Sequence, residues 1–298
     1  MISASQTALR AWSALSGLDL SLCLAALFYL RGWLPLHRAF PRLISAWRAA
    51  AFLAGITFIW VAIGSPMEAF DGVSLTIHMV QHLLLMIVAP PLILLGAPAL
   101  PILRGLPQSI ARHIAGPMLR SGPLKWLGHV ATNPAICWFA ASLVLIGWHV
   151  PTVFELALRS TWLHELEHAT FFGTGLVFWG PVIQPWPSTT RWPRWSIPLY
   201  LFCATFPCDV LSAFLAFCDR VVYPSYLSTS AVFGLSPLQD QECAAALMWT
   251  CVTVIFLIPA VLVTLEILSP RKAHLREETR ANLRLSGRPV QSAKLEVV

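Results

Sequence analysis

The chain has 298 residues, of which 57% are hydrophobic and only 11% are charged, with a formal net charge of +6. Soluble domains carry about 25% charged residues, so this composition excludes a soluble domain and predicts an integral membrane protein. At about 20 residues per transmembrane helix, the chain has room for seven helices joined by short loops.

Seven apolar segments follow one another along the sequence, and they predict an all-α integral membrane protein built as a seven-transmembrane helix bundle. Their bounds are about 16–35, 46–64, 74–95, 134–151, 164–184, 197–218 and 243–268. We therefore expect one membrane domain over residues 1–268 and a basic tail over residues 269–298. The first segment contains Asp19 and lacks the basic start and cleavage site of a signal peptide.

The basic residues predict the orientation of the bundle, because cytoplasmic loops of membrane proteins retain Lys and Arg. With seven spans, 17 of the 20 basic residues fall on one side and three on the other. The side that holds the basic tail is then cytoplasmic, and the N-terminus is outside. This asymmetry also accounts for the positive net charge, since the basic residues lie beside anionic lipid headgroups, without a nucleic-acid partner.

Histidines recur at the predicted outer ends of the spans. His78 and His82 begin the third span, His164 and His168 begin the fifth within HELEH, and His149 ends the fourth within WHVP. Residues at i and i+4 share one face of a helix, so each pair can hold one metal ion. The other four histidines fall on the cytoplasmic side. We therefore expect the five outer histidines to form a common site.

The types of ligand do not identify the metal, since imidazole binds copper, zinc and iron alike. A single histidine within the membrane also commonly bonds a neighbouring helix, so each alone has a purely structural explanation. Asp240, just before the last span, could ligate the metal, orient an imidazole or cap its own helix.

Softer donors lie nearby in the sequence and favour copper(I), although methionine more commonly fills core space. They are Met79, Met86, Met248, Cys218 and Cys243. A disulfide between Cys218 and Cys243 is an open possibility.

Two other functions remain open from the residues. HELEH fits the H-E-x-x-H pattern of zinc hydrolases, in which Glu165 would activate a zinc-bound water, and this predicts an intramembrane zinc metalloprotease. Histidines from different helices of a bundle could also be axial ligands of haem. The protease leaves His78, His82 and His149 unexplained.

Three stretches resemble the seven-helix CtaG family of bacterial cytochrome c oxidase (caa3-type) assembly factors. They are SPMEAFDGVSLTIHMVQHLLLMIVAPPLILLGAP, GWHVPTVFELALRSTWLHELEHATFFGTGLVFWGPVI and LSPLQDQECAAALMW, within residues 58–268. The resemblance implies a protein of the bacterial plasma (inner) membrane that matures a haem-copper oxidase and handles copper. His78, Met79, His82, His149, His164, His168, Asp240 and Gln241 match the family's motifs. Cys243 and the loop 218–234 depart from them.

These observations lead to one hypothesis. Copper is held near the outer face by the histidines of spans three, four and five, supported by Asp240, and is delivered to an oxidase subunit or another copper protein. Haem and zinc stay open as cofactors. Since no nucleophile, phosphate loop or paired carboxylates stand out, we do not expect an enzyme. Pro90 and Pro91 should interrupt the backbone hydrogen bonds of span three.

Overall fold

A computed structural model of the protein describes residues 17–42, 44–122, 128, 133–184, 193–228 and 234–269. Throughout these ranges the chain forms helices and connecting turns, with no strand. The all-helical prediction is confirmed for this part of the chain. Apart from Ser269, the predicted basic tail lies outside the described residues.

The helices of the described ranges are numbered here in chain order. They are α1 (Gly17–Ala39), α2 (Ala46–Ile63), α3 (Leu75–Leu95), α4 (Ala99–Gly105), α5 (108–120), α6 (Pro134–Trp148), α7 (Pro151–Arg159), α8 (Thr161–Ile183), α9 (Ser196–Phe217) and α10 (Pro237–Leu268). Two short 3₁₀ helices, Pro66–Phe70 and Pro224–Ser228, lie in the connections before α3 and α10.

Five helices are long and apolar enough to cross a membrane: α1, α2 with the 3₁₀ turn that follows it, α3, α9 and α10. Helices α6 and α7 add a sixth if the bent pair counts as one span. The protein is therefore a multi-pass membrane protein, but seven spans are not confirmed. Helix α8 has 23 residues, yet its first two turns hold two histidines and two glutamates, which lower its hydropathy. The orientation stays a prediction.

Apolar stripes on the outside of the bundle fit contact with lipid. On α9, Phe202, Phe206, Val210 and Phe214 recur every fourth residue and are each more than half exposed. Residues at this spacing lie along one face of a helix. The opposite face of α9 packs inward through Leu201, among others. The helix thus presents one apolar face to its neighbours and another to the bilayer.

Helix α3 is the most enclosed of these spans. Half of its most apolar 18-residue window is buried, against 11% to 28% in the other four. The described helices form two hydrophobic cores, and side chains of α3 pack into each of them. Met79 and Ile87 pack into the core shared with α9 and α10. Leu85 and Ala89 pack into the core shared with α1 and α2. The remaining helices are thus arranged around α3.

A π-helical turn over Leu84–Val88 interrupts α3 directly before Pro90 and Pro91. Proline lacks the backbone N–H and crowds the preceding turn, and such π turns are common at functional sites. The predicted interruption is therefore confirmed. Helix α8 packs closely here, because a Cβ built on Gly175 would lie 2.7 Å from the Met86 carbonyl oxygen.

The charged residue of the first predicted segment has a partner in the next helix. The indole Nε1–H of Trp60, on α2, donates a hydrogen bond to Asp19 Oδ1 over 3.0 Å. Tyr29 of α1 is fully buried and donates to the carbonyl of Gly96, just after α3, over 2.9 Å. These two bonds join α1 to the rest of the bundle, one near the start of the helix and one at its middle.

The fourth predicted span is shorter than expected, since α6 ends at Trp148 and the chain turns by 74° into α7. Pro151 is the first residue of α7, and a proline disfavours helical geometry at the residue before it. His149 therefore lies at the corner, where its side chain can point into the bundle.

Gly175→Ala should destabilise the protein, because the added methyl group must displace backbone of α3. Overpacking of this kind costs about 1–3 kcal/mol. Thermal unfolding of the detergent-purified variant should show a lower midpoint. Gly173→Ala is the matched control, since nothing lies within 4 Å of the added atom and alanine is the better helix former. Equal midpoints for the two variants would contradict the close α3–α8 packing.

Candidate metal centre

The two predicted histidine pairs meet where α3 packs against the start of α8. Within each pair, His78 with His82 and His164 with His168, the ring centroids are 4.3 Å apart. Between the pairs, the His78 and His164 rings are 5.5 Å apart and the His82 and His168 rings 5.7 Å. The spacing of four residues puts each pair on one helix face, and the packing makes those faces oppose each other.

Two carboxylates lie among these rings. Glu167 Oε1 is 3.5 Å from His82 Nε2 and 3.9 Å from His78 Nε2. Asp71, from the turn before α3, places Oδ2 3.4 Å from His164 Nε2. The cluster therefore combines imidazole nitrogen donors with carboxylate oxygen donors.

The cluster is enclosed, and many of its polar atoms make no hydrogen bond. His78 and Glu167 are fully buried, and His82 and His168 are less than a tenth exposed. Both ring nitrogens of His78 and His82, both Glu167 oxygens, and Nε2 of His164 and of His168 have no hydrogen-bond partner among the described residues. Buried polar atoms are normally paired, and an unpaired one destabilises a fold. A concentration of them is an arrangement that a bound cation would satisfy.

The donor atoms fit a metal ion. Among the described residues, two groups bring three ligand atoms within 4.8 Å of one another: His78, His82 and Glu167, and Asp71, His78 and His164. His78 belongs to both groups. Sets of imidazole and carboxylate ligands suit first-row transition metals. The two groups overlap too closely to act independently, so we treat them as one centre.

His149 lies on the other side of His82, with the two ring centroids 6.0 Å apart. Hydrogen bonds hold both its ring and its backbone. The ring Nδ1–H donates to the Leu145 carbonyl over 2.7 Å, and the backbone carbonyl of His149 accepts from the Tyr223 hydroxyl over 3.0 Å. The structure thus brings all five outer histidines into one neighbourhood. His149 belongs to neither three-atom group.

Asp240 contacts the backbone of α3. Its carboxylate accepts hydrogen bonds from the Ser74 hydroxyl at 2.9 Å, from the Leu75 N–H at 2.7 Å and from the Thr76 N–H at 3.3 Å. The N-cap of its own helix is Ser236. Asp240 therefore caps a different helix from the one that carries it, and it fixes the start of α3 one turn before His78.

An aromatic layer covers the cluster. Phe154 of α7 stacks on Tyr223 with centroids 4.0 Å apart, and its ring is 4.9 Å from His78. The Tyr226 hydroxyl donates to the Asp71 carbonyl over 2.8 Å. Burial raises the pKa of both tyrosines above the usual range, so both stay neutral donors. This layer covers the cluster on the side of His78.

The cysteines named in the sequence analysis are free thiols. Cys218 is half-buried at the end of α9, and Cys243 is exposed on α10. The disulfide left open from the sequence does not form. Of the methionines, Met79 and Met248 are buried in the core.

Sequence reasoning missed the roles of two acidic residues. Glu167 lies three residues after His164 and therefore shares a helix face with it, and this spacing was the available signal. The H-E-x-x-H pattern pointed to Glu165 instead, which lines a cavity together with Glu68 and His168. Asp71 lies in the turn before α3, and its contact with His164 could not be predicted from the sequence because it depends on how α8 packs.

Comparison with known proteins gives a family match over most of the chain. The family described as cytochrome c oxidase caa3 assembly factor (CtaG) matches residues 27–269. Uncharacterized proteins of Mycobacterium bovis and Mycobacterium tuberculosis are each 25% identical over 244 residues, which is 79% of this chain and 36% of theirs. An uncharacterized protein of Mycobacterium leprae is 23% identical over 210 residues, 68% of this chain and 31% of its own. The chain spans about a third of the length of these relatives. No solved structure matches.

Asp240→Ala should lower the stability of the metal-free protein by about 1–3 kcal/mol, since it leaves two buried N–H groups and a hydroxyl without an acceptor. Thermal unfolding in detergent, after treatment with a chelator, measures this. Glu242→Ala, an exposed acid on the same helix turn, is the control and should unfold like the wild type. If Asp240 acted only as a metal ligand, its removal would weaken metal binding and leave the metal-free protein unchanged.

Proposed function

The chain belongs to the cytochrome c oxidase caa3 assembly factor family, and from this premise we propose that it binds copper in the histidine centre for maturation of a haem-copper oxidase. The observation that carries the proposal is the set of buried, unpaired nitrogen and oxygen atoms where α3 meets α8. The family match includes every residue of that set. Copper is the cargo, and the protein is not an enzyme.

His78, His82 and Glu167 would hold the ion, with His164 and Asp71 as further donors on the same side. Glu167 offsets the positive charge that a bound cation brings into the bundle, since a buried charge needs a partner. Asp240 supports the site by fixing the first turn of α3. Phe154 and Tyr223 exclude water from the imidazoles.

Delivery to an oxidase subunit or another copper protein would take place at the outer face of the bacterial plasma membrane. The basic residues support this orientation, because 17 of 20 lie on the side opposite the histidines if the bundle has seven spans. The aromatic layer includes the connection between α9 and α10, where Tyr223 and Tyr226 lie. A receiving protein would have to approach the centre past this connection.

The ring geometry favours a metal ion over haem. A haem with two axial histidines needs the rings on opposite faces of the macrocycle, whereas neighbouring rings here have centroids 4.3 to 6.0 Å apart. The geometry also gives no support to a zinc protease. Glu167, rather than Glu165, is the carboxylate that lies against His78 and His82, and His164 faces Asp71.

Metal analysis of the detergent-purified chain, together with optical absorption, tests the proposal. We expect the wild type to bind copper without a Soret band, and His78→Ala and Glu167→Gln to lower copper affinity by at least about tenfold, since even residues behind the ligands change affinity by about 10–100-fold. His113→Ala is the matched control, because His113 is exposed on α5 and should leave binding unchanged.

Other outcomes would separate the alternatives. A Soret band that is lost in His78→Ala would identify haem. Zinc that depends on His164 and His168 but survives His78→Ala would favour the protease. A wild type that binds none of these would leave the buried polar atoms without a ligand and overturn the proposal.

A further inference from the structure

A second pair of donor atoms lies beside the histidine centre. His149 Nε2 is 3.3 Å from Met79 Sδ, and neither side chain is more than 5% exposed. Met79 belongs to α3, and His149 lies at the corner between α6 and α7. Since a first-row metal ion lies about 2.0–2.3 Å from nitrogen and sulfur ligands, two donors this close can share one ion.

The hydrogen atoms of this pair can be assigned from its neighbours. A carbonyl oxygen only accepts, so His149 Nδ1, 2.7 Å from the Leu145 carbonyl oxygen, must carry a hydrogen. A neutral imidazole has one N–H, and Nε2 therefore presents a lone pair to Met79. The thioether sulfur has no hydrogen either. Two lone pairs face each other, which is the arrangement that a cation satisfies.

Protonation of His149 Nε2 would also satisfy this contact, because the added N–H could donate a hydrogen bond to Met79 Sδ. It would place a full positive charge on a buried side chain, and no carboxylate of the described residues forms an ion pair with His149. Burying an unpaired charge is strongly unfavourable. The neutral ring with an exposed lone pair is therefore the form that fits this site.

More sulfur atoms surround a cavity next to the pair. The cavity has a volume of about 40 Å³, and its lining includes Met79, Met86, His149, Cys208 and Met248, contributed by α3, α9, α10 and the α6–α7 corner. This volume admits an ion or a water molecule. Methionine usually fills gaps in a core, but these side chains leave a gap between them. Thioether and thiol ligands select copper(I).

We propose that Met79 and His149, with Met248 and Cys208 across the cavity, form a subsite for a soft monovalent metal ion, copper(I). The proposal rests on the function proposed above and divides the centre into two chemically different parts. His82 connects them, because it contacts Glu167 on one side and lines the sulfur cavity on the other. The ion stays monovalent throughout, so its transfer needs no electron.

Copper(I) and zinc(II) binding to the full chain in detergent distinguish the two parts. Met79→Leu conserves volume and should fold, since exchanges between Leu and Met are well tolerated. We expect it to lower copper(I) affinity by about tenfold or more, measured by competition with a coloured chelator under anaerobic conditions. Zinc(II) affinity should change little, because thioethers are not zinc ligands. Met118→Leu, at an exposed methionine of α5, should match the wild type.

X-ray absorption at the copper edge gives a second readout, in the wild type and in Met79→Leu. The wild type loaded with copper(I) should show sulfur scatterers in the first shell, and Met79→Leu should show fewer. Only nitrogen and oxygen scatterers in the wild type would overturn the subsite, as would a Met79→Leu variant with wild-type copper(I) affinity. Copper that depends on His78 but not on Met79 leaves the proposed function intact. A wild type that binds no copper overturns both.

Discussion

The carboxylate of Asp240 on the first turn of α3 is the interaction on which the arrangement of the site depends. It joins the start of the last helix to the start of the central one, more than 160 residues earlier in the chain. The positive end of a helix favours an anion at this position, and the buried carboxylate is in turn satisfied by three donors. With its start fixed here and its middle held by Gly175 of α8, α3 has little freedom to rotate. His78 and His82 therefore face α8.

This rigidity explains how the fold tolerates so many unpaired polar atoms. The histidines and Glu167 lose hydrogen bonds to water when they are buried, and the described protein atoms do not replace them. Such a cluster persists only where surrounding packing determines the backbone independently. Here the two apolar cores on either side of α3 provide that packing. A bound cation would recover part of the lost interaction energy, so ligand binding and stability are coupled.

The sequence predicted the five histidines as one neighbourhood because helical spacing and the distribution of basic residues both placed them together. It could not predict which acidic residues join them. Glu165 and Glu167 both lie within HELEH, and only the packing direction of α8 places Glu167 against His82. The contact of Asp240 with Ser74 is a long-range pairing with no local pattern. The same polar residues that form the site also explain why α8 lacks the hydropathy of a membrane span.

Adjacent positions on α3 serve the two parts of the centre. Successive residues on a helix point about 100° apart, so His78 and Met79 contact different neighbours. His78 lies near Glu167 of α8, and Met79 lies against His149. Nitrogen and carboxylate donors hold either copper or zinc, whereas a thioether is not a zinc ligand. In the proposed subsite, an ion that passed His82 into the sulfur-lined cavity would be selected as copper(I). On this proposal the spacing H-M-x-x-H would supply both the donors that capture a metal and the donor that discriminates between metals.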